Sequence, residues 1–169
     1  INRSKKEYEE EIKRDLKWLG IEWVKTFNQS KRIKIYNQKI EELKKLKRLY
    51  PCFETPEELA LKRKSLLSSG KPPIYDRSAL NLSKDQINEN IKQGKKPHWR
   101  FALNDSIIQW NDLIKGTISF ESNKLSDPIL IREDNSLLYH LPSVIDDIEE
   151  KITDIIRGED HITNTAFHI

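Results

Sequence analysis

KITDIIRGEDHITNT, residues 151–165, decides the fold that we expect from this sequence. The run 152–156, with isoleucine at 152, 155 and 156, is expected to form a strand buried on both faces, and a helix is predicted to begin near residue 161. Such a strand and helix form half of a parallel α/β unit, whose ligands bind at the carboxyl ends of strands. Four ionisable side chains follow the predicted strand: Arg157, Glu159, Asp160 and His161. We therefore expect a binding site there.

The first half of the chain is predicted to be helical. Ser4 and Glu7 have the spacing of a capping box, and Gly20 provides a C-terminal stop, so a helix is expected between them. Apolar residues recur at helical spacing within residues 29–51. We expect Pro51 to end that second helix.

Two further helices are predicted from their caps. Thr55 is followed by Pro56 and by a glutamate at the capping-box position, and Gly70 follows the helical pattern. Ser83 has a glutamine three residues later, and Gly94 follows. Both segments have the start and stop signals of short amphipathic helices.

The periodicity changes at HWRFAL, residues 98–103. Short β-rich stretches separated by Asn, Asp and Gly predict strands of a small antiparallel sheet: 106–110, 117–121 and 128–132. Helical periodicity then returns in SLLYHLPSVIDDI, an amphipathic segment that carries Pro142. Adjacent Asp146 and Asp147 resemble a metal pair, but neighbours on a helix point about 100° apart, so we expect a structural role at the helix end.

Charge is unevenly distributed along the chain. Residues 1–100 contain 25 basic and 14 acidic residues, a net charge of +11, whereas residues 101–169 contain 5 and 13, a net charge of −8. A concentrated basic block can contact phosphates, because neutralising them releases counterions. The alternative is that the lysine-rich helices are solvated faces.

Composition excludes several classes of protein. The chain is 36% apolar and can bury one core or two small ones, but it has no run long enough for a spanning helix. Its first residues do not have the pattern of a secretory leader, so we expect none. Cys52 is the only cysteine, which excludes an internal disulfide and favours a reducing compartment. Because the chain begins at Ile1 and contains no methionine, we expect it to be a piece of a longer protein.

Five motifs carry a family resemblance. QSKR, YPCFETPEEL, PPIYDR, YHLPSVIDD and IIRGEDHITNT occur in an order that closely resembles bacterial glutamyl-tRNA synthetase, a class I aminoacyl-tRNA synthetase. The resemblance implies an α/β Rossmann-type catalytic fold, interrupted by an α+β connective domain of helices and a small antiparallel sheet. It implies that residues 1–28 end the first catalytic half, 29–138 form the connective domain, and 139–169 begin the second half.

The resemblance also implies a glutamate site. Arg157 resembles an arginine that pairs with a carboxylate of the amino acid, for which its planar fork is suited. Tyr139 resembles a tyrosine that offers its hydroxyl to glutamate, and Ser143 stands where some relatives carry a substrate-contacting asparagine. A structural ion pair for Arg157 and a core tyrosine for Tyr139 are the alternatives.

Asp160 and His161 resemble positions beside the ATP-binding pocket. Asp160 matches an acidic position near the adenosine, and His161 could stack on the nucleotide or hydrogen-bond to it. Glu159 is expected to brace the loop, and His161 could equally be structural at a helix start. We assign no catalytic residue, because the family's His-Ile-Gly-His and Lys-Met-Ser-Lys-Ser signatures do not occur in this sequence.

The family's cofactors and partners follow from the resemblance. The complete enzyme would use ATP and Mg²⁺ to activate glutamate and would bind the tRNA acceptor stem, whereas this fragment should be inactive alone. Many relatives hold zinc through a Cys-x-Cys pair and a later Cys-x-His, but here Cys52 is followed by Phe53 and Glu54, and Ser78 and Ala79 stand where a cysteine is needed. We predict no zinc and expect a cytoplasmic monomer without a membrane partner.

Three functional hypotheses follow. The favoured one is a catalytic-core fragment of glutamyl-tRNA synthetase that contacts the acceptor stem. A stand-alone RNA-binding module would account for the basic block without any chemistry. A truncated-type glutamyl transferase, which modifies a tRNA base, would share the glutamate site.

Overall fold

A computed structural model describes residues 4–169 of the chain, which divide into two compact units. The first extends to Ile33 and contains helix α1, Lys6–Trp18. The predicted end is confirmed, since Gly20 has a left-handed φ of 70° and the following N–H returns to the carbonyl of Leu16. The predicted capping box is wrong: Lys5 is the N-cap, without a side-chain cap bond. Residues 1–3 lie outside the described part.

The second unit, from Lys34, contains the other helices. These are α2, Ile33–Lys45, which begins at the unit boundary, α3, Pro56–Ser68, α4, Lys84–Lys92, α5, His140–Glu149, and α6, Ile162–His168. Thr55 and Ser83 cap α3 and α4 through complete capping boxes, as predicted. Because these caps satisfy the first N–H groups locally, neighbouring sequence is enough to fix where both helices begin.

The sequence predicted that helix α2 ends at Pro51, but the helix ends six residues earlier, at Lys45. Lys47 has a left-handed φ of 56°, and the chain then enters strand β1, Leu49–Cys52. This strand pairs antiparallel with β2, His98–Phe101, which pairs antiparallel with β5, Ile129–Ile131. Leu49, Tyr50 and Cys52 are buried in the sheet. The free energy gained by burying them exceeds what these residues would gain by continuing the helix.

Strands β3, Ile107–Asp112, and β4, Gly116–Glu121, form a separate two-stranded hairpin. The predicted strands are therefore confirmed, but they belong to two antiparallel sheets. Trp110 and Phe120 stack on one face of the hairpin with ring centroids 5.8 Å apart. The main core of the second unit lies under the larger sheet and consists of residues from α2, the sheet and α5: Tyr36, Ile40, Leu49, Leu130, Ile131, Leu141 and Ile145.

Asp146 is part of this core. It is buried on α5, and both of its carboxylate oxygens lie within 2.9 Å of the Tyr36 hydroxyl, which donates to them. Asp147, the next residue, is half-buried. The expectation of a structural role fits this placement, because the buried carboxylate joins α5 to α2 through a hydrogen bond.

The strand predicted at residues 152–156 is wrong. This segment is irregular, and Ile156 is 99% exposed. A strand buried on both faces needs a hydrogen-bonded neighbour, and within residues 4–169 every strand pair is antiparallel and none includes this segment. The mixed helix and strand composition is as predicted. Pro142 lies in the first turn of α5, where its missing N–H costs little.

Candidate functional site

Tyr139, Arg157 and His161 come together where α5 and α6 begin. Tyr139 is the N-cap of α5, and His161 is the N-cap of α6. The Tyr139 hydroxyl lies 3.4 Å from Nδ1 of His161, whose ring packs edge-on against the tyrosine ring. Two helix starts therefore place residues separated by 22 positions in one cluster.

Arg157 is partly exposed and is held by α6. One terminal nitrogen donates to Oγ1 of Thr165 over 3.1 Å, and the other donates to Nδ1 of His168 over 2.6 Å. Each terminal nitrogen of a guanidinium carries two hydrogens, so this leaves N–H groups for a ligand. Carboxylates and phosphates are the ligands that such a planar donor pair fits best.

Tyr139 offers a protonated hydroxyl to the same region. Burial raises the pKa of this phenol, which keeps it a hydrogen-bond donor at neutral pH. Tyr139 is 43% exposed, so the core-tyrosine alternative does not describe its placement. His161 Nδ1 also lies 2.6 Å from Nδ2 of Asn164, an amide nitrogen that only donates, so this contact makes Nδ1 an acceptor.

The other predicted residues lie around this cluster. Ser143 is one turn after Tyr139 on α5, and its N–H donates to the Tyr139 carbonyl. Asp160 is exposed and lies 3.6 Å from Nε2 of His161. Glu159 forms an ion pair with Lys115, at the turn between β3 and β4, over 2.5 Å. That contact braces the loop against the hairpin, as expected for Glu159.

Sequence reasoning missed three residues of the cluster: Thr165, His168 and His140. His140 Nδ1 lies 3.0 Å from Nε2 of His168. Burial, together with the charge of Arg157, lowers the pKa of both histidines, that of His168 to about 4. The only available signal was the helical spacing of residues 161, 165 and 168, which places them on one face of α6.

An apolar cavity of about 500 Å³ lies beside this cluster, between α2, the strands, α5 and α6. Leu43, Leu46 and Phe101 are among the apolar residues that line it, while His140 and His168 form part of its wall. Neither Tyr139 nor Arg157 lines it. The charged cluster and this cavity are therefore separate features of the second unit.

Comparison with known proteins identifies the family. All 169 residues match the family described as tRNA synthetases class I (E and Q), catalytic domain. The chain belongs to this class I synthetase family. The full chain is 56% identical to glutamate–tRNA ligase 1 of Rickettsia bellii and 55% identical to glutamate–tRNA ligase 2 of Rickettsia canadensis. It spans 38% of the length of each.

A solved structure agrees with the family assignment. The chain superposes with a TM-score of 0.83 on a glutamate tRNA ligase from Elizabethkingia meningosepticum, which was crystallised in complex with its amino acid. The two are 30% identical, and the match covers 99% of this chain and 37% of the other. The fold of residues 4–169 is thus that of a class I synthetase segment.

The residues around Cys52 stand where many members of this synthetase family hold a zinc ion. Donor atoms of Cys52, Glu54 and His98 lie within 4.8 Å of one another, and Oε2 of Glu54 and Nε2 of His98 have no hydrogen-bond partner among the described residues. However, a closed structural zinc site needs four ligands, and burial raises the pKa of the Cys52 thiol to about 11.

The Glu54 carboxylate already accepts hydrogen bonds from neighbouring side chains of the protein. Oε1 of Glu54 accepts from the Tyr75 hydroxyl over 2.7 Å and from the Ser78 hydroxyl over 3.1 Å. The guanidinium of Arg100 lies 4.1 Å from the centre of the Tyr75 ring, so a positive charge is already beside the cluster. These residues do not fit the family's four-ligand zinc site.

The basic residues of α3, α4 and the loops after them are mostly exposed. Lys62 is an exception, since it pairs with Asp76 and reaches Glu54. The exposed members are Arg63, Lys64, Lys71, Lys84, Lys92, Lys95 and Lys96. Their exposure is required for contact with a nucleic-acid backbone and is equally compatible with a solvated face. Among the described residues, no helix has the length and apolarity needed to cross a membrane.

Proposed function

We propose that this chain is part of the catalytic core of a glutamate–tRNA ligase, which activates glutamate with ATP and transfers it to the 3′ end of tRNA. The observation that carries the proposal is the convergence of Tyr139 and Arg157 within a chain whose full length matches the class I synthetase family. A guanidinium that can donate two parallel hydrogen bonds, beside a tyrosine hydroxyl that donates another, suits a carboxylate ligand.

In this proposal, Arg157 pairs with a carboxylate of glutamate, and the hydroxyl of Tyr139 donates a hydrogen bond to the same substrate. Ser143, one turn further along α5, faces the same ligand. Asp160 and His161 contribute to the ATP site, where a ring and an acidic group can contact the adenosine. The complete protein uses ATP with Mg²⁺, and none of these residues is assigned a catalytic role.

We also propose which parts of the chain belong to each domain. Residues 1–28 and 139–169 contribute to the catalytic fold, and residues 29–138 form the connective domain that contacts the acceptor stem. The exposed basic residues after α3 and around α4 support this assignment, because acceptor-stem recognition in A-form RNA relies on phosphate and ribose contacts. We propose that the protein works in the cytoplasm as a monomer and holds no zinc.

Substitution of Arg157 tests the glutamate assignment. In the full-length protein, Arg157→Lys keeps the charge and loses the fork, so the KM for glutamate in ATP–pyrophosphate exchange should rise while the KM for ATP changes little. Lys151→Arg, at an exposed position six residues earlier, is the matched control. Unchanged kinetics for glutamate in Arg157→Lys would assign Arg157 to structure.

RNA binding is tested separately. An acceptor-stem minihelix should bind the full-length protein better than a single strand of equal length and charge, with an affinity that falls steeply with salt. The triple substitution of Lys92, Lys95 and Lys96 by Glu should weaken minihelix binding without changing the KM for glutamate. Equal affinity for both RNAs would leave the basic residues as a solvated face.

A further inference from the structure

His168 contacts the guanidinium of Arg157 directly, through a ring nitrogen that must act as an acceptor. The distance from the Arg157 nitrogen to Nδ1 of His168 is 2.6 Å. A guanidinium can only donate, so Nδ1 of His168 carries no proton. A protonated imidazole would point an N–H at another N–H, so this contact requires His168 to be neutral.

The neutral ring then fixes a chain of hydrogen bonds. With Nδ1 unprotonated, the proton of His168 lies on Nε2, which is 3.0 Å from Nδ1 of His140. His140 therefore accepts, and its own ring proton lies on Nε2. The chain runs in one direction, from Arg157 through His168 to His140, and it connects α6 to the first residue of α5.

Packing holds the two rings in place. The rings of His140 and His168 meet edge-on, with centroids 5.3 Å apart, and the Tyr139 ring lies 4.3 Å from that of His140. Phe167 packs edge-on against His140 from the α6 side. Arg157 and His140 lie within hydrogen-bonding distance of His168, and the Tyr139 ring lies 5.8 Å from its ring. Burial together with the charge of Arg157 lowers the pKa of His168 to about 4.

We propose that His168 is a positioning residue for the glutamate-binding site: its Nδ1 anchors one end of the Arg157 guanidinium, while Thr165 anchors the other, so that the remaining N–H groups face the substrate carboxylate. This rests on the proposed role of Arg157. Without the acceptor on α6, the long side chain would sample several rotamers, and each glutamate bound would have to restrict it again.

Two substitutions of His168 separate the acceptor from the volume of the ring. His168→Asn retains an acceptor oxygen near the position of Nδ1, whereas His168→Leu fills space without one. In ATP–pyrophosphate exchange by the full-length protein, His168→Leu should raise the KM for glutamate about tenfold, as expected for a lost hydrogen bond to a charged group. His168→Asn should restore it to within about threefold of the unsubstituted protein. The KM for ATP should not change in either variant.

The outcomes distinguish this inference from the proposed function. If Arg157→Lys weakens glutamate binding and His168→Leu does not, the positioning role is overturned while the glutamate site stands. If Arg157→Lys has no effect, the proposed role of Arg157 in glutamate binding fails, and the role of His168 that rests on it fails too. Equal losses in His168→Asn and His168→Leu would mean that an acceptor at this position is not enough to restore glutamate binding, which also overturns the positioning role.

The protonation of His168 gives a second readout, which is taken on the unsubstituted protein and uses a variant only to assign the signal. Long-range ¹H–¹⁵N correlation spectra of the full-length protein, assigned with His168→Asn, should show a neutral ring protonated on Nε2 at pH 6. A ring protonated on Nδ1, or a charged ring at that pH, would contradict the contact with Arg157 and overturn the proposal.

Discussion

Asp127, beside the larger sheet, and Arg157, at the start of the C-terminal helices, are both charged residues with several hydrogen bonds, but they differ in burial. Asp127 is fully buried, and its carboxylate accepts from the Tyr50 hydroxyl, from Arg77 and from the N–H of Leu103 over 2.7 to 3.0 Å. Arg157 is partly exposed and retains unused donors. Removing a buried charge whose partners all lie inside the protein destabilises the fold, because those partners are left unpaired. A charge at the surface with spare donors can instead bind a ligand.

The surroundings of the two residues differ in the same way. The carbonyl of Asp127 also accepts from Arg100, so this part of the sheet region is closed by contacts between its own residues. Near Arg157, the segment 152–156, which includes three isoleucines, is exposed and pairs with no described strand. The C-terminal region therefore combines a preorganised polar cluster with an apolar edge that is not covered by residues 4–169.

The largest effect is expected at the buried acid. Asp127→Ala leaves Arg77 and the N–H of Leu103 without their partner, so the free energy of unfolding should fall by about 3–5 kcal/mol. Chemical denaturation of the 169-residue chain measures it. Asp154→Ala, at an exposed position, is the control and should change the free energy by less than about 0.5 kcal/mol. Similar losses in both variants would remove the distinction between the two regions.

A smaller effect is expected from the histidines near Arg157. The pKa of His168 in the folded chain is about 4, below its ordinary value of 6.5. The stability that this contributes is complete above pH 6.5 and is lost as the pH falls towards 4, because the unfolded chain then binds a proton that the folded chain does not.

The slope of this dependence can be measured. Between pH 6.5 and 4, His168 should add at most about 1.4 kcal/mol per pH unit to the slope of the unfolding free energy. His168→Asn should reduce the slope, and part should remain because burial also lowers the pKa of His140. Identical slopes in both proteins would show that His168 titrates normally in the folded chain.

The smallest effect is expected from metal removal. Because the residues near Cys52 do not supply four ligands and Glu54 is already hydrogen-bonded, dialysis against a chelator should leave the melting temperature unchanged. Elemental analysis provides the control. Stoichiometric zinc with a chelator-dependent loss of stability would contradict this prediction and assign Cys52, Glu54 and His98 as ligands.

Local signals predicted the fold well where the structure depends on neighbouring residues. Thr55 and Ser83 cap their helices because the partner of each lies three residues away. Strand β1 was missed because Tyr50 and Cys52 gain their partners from β2, more than forty residues later, and the local pattern continued that of a helix. The strand at 152–156 was predicted from apolarity alone, which cannot supply a pairing neighbour.

Only part of the candidate site could be predicted from local sequence signals. The family motifs identified Tyr139, Arg157 and His161, which the structure brings together. His168 carried no such signal, because a single histidine near a helix end has many possible roles and its contact with Arg157 depends on how the loop before α6 folds. Residues that position others are the hardest to recognise from sequence.

The most direct test of the account is where the full-length protein attaches glutamate. With labelled glutamate, ATP and tRNA, we predict that RNase A, which cleaves after the last cytidine of the CCA end, releases the label as glutamyl-adenosine. Arg157→Lys should reduce the yield at limiting glutamate. Label retained on an internal fragment that contains a modified base would contradict a ligase acting at the 3′ end and would support the transferase that modifies a tRNA base.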